Sequence, residues 1–267
     1  MESREYANNI KYCLSELSTS GYVRKNTQML YNNVGQAREL LNNILTTNID
    51  TLPDRILEKI DDILQYELSN KHITIAQSLP KITKYKISLW QGDITTLYID
   101  AIVNAANVGG LGCFQPNHKC IDNVIHAKAG PRLREECKII LQSPNVSTAD
   151  TILTLGYNLP CRYVMHTVGP IYKNAVGNVA HDNKQLLSKC YVDCLNKLKD
   201  IRRQAIAFCC ISTGEYGYPN EEAAFVALMT VKHWMNTHQD YPVHVVFCVF
   251  KDEDRIIYEK LIKKIMV

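Results

Sequence analysis

The chain has 267 residues, 46% of them hydrophobic, with 30 basic and 27 acidic side chains and a net charge of +3. That length and apolar content supply a full core and exclude disorder as the default state. The near-balance of charge, without a long like-charged block, excludes a basic nucleic-acid arm or an acidic tail, and no run approaches the ~20 apolar residues of a membrane span. The polar start, MESREYANNIKYC, is not an export signal. An intracellular, cytoplasmic monomer is expected, with neither nucleic acid nor membrane as partner. Its ten cysteines are expected as reduced thiols, core residues or metal ligands rather than disulfides.

Residues 1–80 read as a helical N-terminal extension without chemistry of its own. In TLPDRILEKIDDILQYEL, Thr51 can cap a helix, Pro53 suits its first turn, and Ile56, Ile60, Ile63 and Leu64 share one face. Such a stripe is packing against the main domain or, as the alternative, a partner-binding surface. Around SNKHITIAQSLPKITKY the pattern changes, and residues 81–267 form the second unit. KYKISLW, AIVNAA, RYVMHTV, AIAFCCIS and VHVVFCVF read as strands. Helical patterns lie between or after them, at about 122–141, 182–200, 219–237 and 252–265. The alternation predicts an α/β fold with a mixed, largely parallel central sheet between helical layers. Ligands in such folds bind beyond the carboxyl ends of the strands.

Three loops carry chemistry. In WQGDITTLYIDAIVNAAN, Gly92 and Asp93 end a strand, and the Asp93 carboxylate can accept from an exocyclic amine such as adenine's. Further on, Asn104 and Asn107 frame two alanines, and Asn107 is placed to reach a ligand hydroxyl. In CCISTGEYGYPNEEAA, a strand runs into Ser212, Thr213, Gly214 and Gly217 before a helix, which reads as a phosphate or diphosphate cradle rather than a plain turn. In LGCFQPNHKCIDNVIHAKAG, Cys113, His118 and Cys120 are spaced as three zinc ligands with a fourth position open. The other reading is two buried cysteines and a surface histidine. His126 is the nearby candidate for a fourth ligand, and Asp122 stands where a helix cap belongs.

GDIT, DAIVNAAN, HTVGP and STGEYGYP, in that order, resemble the macrodomain, an α/β/α module that binds ADP-ribose. The string LGCFQPNHKCIDNVIHAKAGPRLREEC narrows the resemblance to the zinc-dependent macrodomains that act as protein-ADP-ribosyl hydrolases, and it extends over residues 52–267. The resemblance implies one Zn2+ held by Cys113, His118 and Cys120. It implies that Asp93 and Ile94 hold adenine and that Ser212, Thr213, Gly214, Glu215 and Tyr216 wrap the diphosphate. Asn107, Cys120, Ile121, Asp122 and Asn123 would line the distal ribose, with Asp122 and Asn107 as the catalytic pair. The implied substrate is an ADP-ribosylated protein and the product ADP-ribose. The alternative is a reader module that binds ADP-ribose without cleaving it, its zinc structural. A zinc deaminase is disfavoured, because no His-x-Glu followed by Pro-Cys-x-x-Cys is present. Two departures from the family pattern stand out. NVGGLGC has two glycines in place of a bulkier polar stretch, and Ala149 in STADTILTLGYNLP replaces a glycine.

Overall fold

The computed structural model describes residues 3–21, 31–48, 50–82, 85–143, 145–172 and 178–266. Three helices come first: α1 (Ser3–Thr19), α2 (Val34–Thr47) and α3 (Asp54–Ser69). Ile10, Leu14, Leu17, Leu41, Ile56, Ile60 and Ile63 meet between them in an apolar cluster separate from that of the sheet. Asn33 caps α2 by accepting from the Gln36 N–H. Thr51 does not cap α3 as expected. Pro53 holds that position with φ −60° and no side-chain bond, since its ring fixes the entry dihedral.

Next come β1 (Thr74–Ile75), β2 (Ile87–Gln91), β3 (Leu97–Tyr98) and β4 (Ala101–Ala105), then α4 (Ile121–Ala129) and α5 (Pro131–Leu141). Lys84, the expected start of β2, lies outside the described residues. β5 (Thr151–Leu155) and β6 (Tyr163–Thr167) lead to α6 (Asn178–Asp200), β7 (Ala205–Phe208), α7 (Asn220–Thr237), β8 (His244–Val249) and α8 (Asp252–Ile265). The six-stranded sheet has the order β2-β8-β7-β4-β6-β5. All its pairs are parallel except β5 with β6. This is the expected mixed, largely parallel α/β sheet, flanked by helices. The interior strands are apolar almost throughout, because both faces are covered.

The helical pattern over 122–141 resolves into two helices. Gly130, with φ 92°, breaks it, and Pro131 starts the next at its first turn. A Cβ on Gly130 would come within 2.9 Å of Leu64 on α3, so the break also lets the extension approach closely. The extension docks on this corner through Arg132–Asp61 at 2.8 Å, Lys128–Glu67 at 3.3 Å and an Asn158 amide donating to Asp61 at 2.6 Å. No helix among the described residues is long and apolar enough to cross a membrane.

Candidate active site

Because β2, β8, β7, β4 and β6 are parallel, the loops after them open on one edge of the sheet. After β2, Asp93 accepts from the Thr95 N–H at 3.0 Å and its hydroxyl at 2.6 Å, while Lys71 lies 3.4 Å from the other carboxylate oxygen. Ile94 is buried beside it. After β7 the chain turns through Ser212, at φ 67°, and closes with Gly217 N–H donating to Gly214 O and Tyr218 N–H donating to Ser212 O. Among the described residues no acceptor meets the N–H groups of Gly214, Glu215 and Tyr216. Free amides on successive loop residues suit an anion. The Ser212 hydroxyl is buried without a partner. A Cβ on Gly169, after β6, would lie 2.1 Å from it, so only glycine permits the two loops to touch.

The loop from β4 to α4 gathers sulfur and imidazole. One ligand atom each of Cys113, His118 and Cys120 lies within 4.8 Å of the other two. His118 Nδ1 stands 3.5 Å from Cys113 Sγ, and its Nε2 faces a Glu215 carboxylate oxygen at 3.5 Å. Each sulfur also accepts a backbone N–H, from Gln115 and from Asn123. Cys120 is the N-cap of α4, a position that favours a thiolate. Burial, reinforced by Cys113, still pushes its thiol up to about 11. Two thiols and an imidazole at this spacing fit zinc.

Asp122 lies on the first turn of α4, 4% exposed. Asn104 donates to its Oδ1 at 2.7 Å and Asn107 to its Oδ2 at 3.0 Å. Burial raises its carboxyl to about 6 against the pull of these donors and of Arg134. The remaining Asn107 amide hydrogen goes to Gly112 O, and its Oδ1 accepts from Gly109 N–H. The Asn107 amide thus ties the carboxylate to the loop that carries Cys113 and His118. Asn123 ties the loop's far side to α4, donating to Gln115 O and His118 O. Ile121 is half-buried on the same turn.

His126 does not join the first cluster. It sits fully inside, its ring 5.6 Å from His166, in a second group with Cys137. His166 has both nitrogens engaged, by Asn104 Nδ2 at 3.0 Å and Thr154 Oγ1 at 3.0 Å, whereas both ring nitrogens of His126 are buried without a hydrogen-bond partner. Burial holds both imidazoles neutral, His166 at about 3 and His126 well below its usual value. Asn104 and His166 are the residues that sequence reasoning left unassigned. Asn104 was visible as the first asparagine of VNAAN, but its task follows from strand pairing, since β4 and β6 set Asn104 beside His166.

The chain is similar to known proteins. A family model described as Macro domain matches residues 103–227. The chain is 43% identical over 203 residues to a Protein-ADP-ribose hydrolase of Staphylococcus aureus, covering 75% of each chain. A solved macrodomain of Oceanobacillus iheyensis with ADP is 35% identical, with a TM-score of 0.59 over 67% of this chain and 90% of that one. A Trypanosoma brucei macrodomain in complex with ADP-ribose is 30% identical, with a TM-score of 0.64 over 82% of this chain and 94% of that one. The chain is a member of the macrodomain family.

Proposed function

We propose that the protein is a zinc-dependent protein-ADP-ribosyl hydrolase, which removes ADP-ribose from a modified side chain by hydrolysis at the anomeric carbon of the distal ribose. The observation that carries this reading is the order of groups along the carboxyl edge of the sheet. Asp93 follows β2, the free amides of 214–216 follow β7, and Asn107 with Asp122 follows β4. Strands β2 and β4 stand three positions apart, roughly 14 Å at ordinary strand spacing. Adenine, diphosphate and distal ribose follow each other in the same sequence. Relatives named as protein-ADP-ribose hydrolases and a relative solved with ADP-ribose support it.

In this reading Asp93 accepts the adenine amine and Ile94 packs on the ring. The amides of Gly214, Glu215 and Tyr216, with Ser212 and Thr213 beside them, wrap the diphosphate. That binding energy is remote from the reacting carbon and serves to fix the ribose. Asp122, its two oxygens oriented by Asn104 and Asn107, takes the proton of the attacking water. The water oxygen bonds to the anomeric carbon, and the side-chain atom leaves with the electron pair of the broken bond. Cys113, His118 and Cys120 would hold Zn2+, which supplies Lewis-acid polarisation and an acidified water when bound.

The test is ADP-ribose release from a mono-ADP-ribosylated protein by wild type, chelator-treated protein and Asp122→Ala. Release slower by at least about a hundredfold is expected in the latter two. Tight ADP-ribose binding by a wild type that releases no faster than buffer would sink the hydrolase reading and leave a binding module.

A further inference from the structure

One side chain bridges the extension and the metal loop. Arg134 on α5 is 8% exposed, yet makes no salt bridge among the described residues. Its Nη1 donates to Leu45 O at 2.9 Å and Asn48 O at 2.6 Å, the end of α2. From the other branch, Nε donates to Leu111 O at 2.9 Å, and the guanidinium covers the Phe114 ring at 4.6 Å. The last carbonyls of a helix lack intrahelical partners and carry the negative end of its dipole, so they form a natural seat for a cation. A planar guanidinium serves two such groups and a third on another segment at once.

The third segment is where the chain most needs holding. Leu111 lies between Gly110 and Gly112, both at positive φ, 64° and 86°. Two carbonyls later in the loop are held by Asn123, and Gly112 O by Asn107. Leu111 O has Arg134. The other ties between extension and sheet domain, such as Arg132 with Asp61 and Lys128 with Glu67, touch no residue of the loop.

We propose that Arg134 is a positioning residue, through which the C-terminal end of α2 sets the loop that carries Cys113 and His118. The N-terminal extension is then part of the scaffold of the site rather than an appendage. The zinc arm of the test rests on the function proposed above; the exchange arm does not.

The full chain is compared as wild type, Arg134→Met, Arg134→Lys and, as a control for loosened docking, Arg132→Met. Hydrogen exchange of the metal-free proteins is followed over residues 108–120, and zinc affinity is measured by competition with a fluorescent chelator. Both Arg134 variants are expected to exchange at least about tenfold faster in the loop, with residues 212–217 unchanged. Their zinc affinity is expected to fall about 10–100-fold, with Arg132→Met near wild type in both readouts. Arg134→Lys keeps the charge and a stem that can pack, so it decides the matter if the methionine variant does not fold. Loop exchange within about twofold of wild type in the folded Arg134 variants overturns the inference, as does an equal effect in Arg132→Met. A wild type that binds no zinc refutes the metal reading, while the exchange comparison still decides the role of Arg134.

Discussion

Asn104 shows how much of this site depends on single amide groups. Its two hydrogens go to Asp122 Oδ1 and His166 Nδ1, while its own Oδ1 is buried without a partner. Both neighbours are acceptors, so the amide has one usable orientation. Asn104→Leu leaves two buried acceptors unsatisfied, and a loss of roughly 2–4 kcal/mol in a urea titration is expected. A release rate at least about tenfold slower should accompany it, since Asp122 loses one of the groups that aim it. Gly112 is the second residue on which the site turns. A Cβ there would stand 2.7 Å from the buried His126 ring, at a backbone φ of 86°. Gly112→Ala is expected to cost about 1–3 kcal/mol and to displace Cys113. Thermal unfolding together with zinc titration checks both effects. The paired glycines of this loop, Gly109 and Gly110, are residues for which the structure has different uses. A Cβ on Gly110 would meet Leu141 and Val146 at 2.6 and 2.7 Å, whereas at Gly109 it meets only the Asn107 side chain, at 3.0 Å.

At the scale of elements, helix breaks and strand pairings carry consequences that a linear pattern hides. One apolar periodicity ran through residues 122–141, yet Gly130 divides it so that α3 can press against the corner. β8 and β2 are held at one end by His244, whose Nε2 lies 2.8 Å from Ser88 Oγ. The Ser88 hydroxyl donates to Pro80 O at 2.8 Å, so the imidazole must donate from Nε2. Burial, helped by Lys81 and Lys86, lowers this histidine to about 4. In the unfolded chain it titrates near its ordinary value, about 6.5. Below that pH the unfolded state takes up a proton that the folded state refuses, so stability is full above about 6.5 and is lost as the pH falls towards 4. His166, lowered to about 3, acts in the same direction. The urea midpoint is therefore expected to fall on acidification across this window, and more gently in His244→Gln. An unchanged pH slope in that variant would remove His244 from the account.

For the molecule as a whole, the apolar clusters and the loop of Cys113, His118 and Cys120 are separate. None of Cys113, His118 and Cys120 belongs to a buried apolar cluster, and the sheet closes without them. On the proposed zinc-dependent reading, chelation should thus leave far-ultraviolet circular dichroism unchanged and move the thermal midpoint by less than about 5 °C, while ADP-ribose release slows at least about a hundredfold. A collapse of the fold on chelation would instead make the metal structural. The sequence alone determined the alternation of strands and helices, because burial on both faces demands apolar runs of strand length. It also marked the three loops, because carboxylate, amide, thiol and glycine at close spacing are chemistry that needs no third dimension to be noticed. The edge strand β5, half-buried and antiparallel to β6, left only a weak trace. Only tertiary structure decided that Asn104 meets His166, that His126 lies in the interior apart from Cys113, His118 and Cys120, and that Arg134 joins α2 to Leu111. Those contacts span from 23 to 89 residues of chain. No local period encodes them, because they arise from strand register and from where a helix end comes to rest.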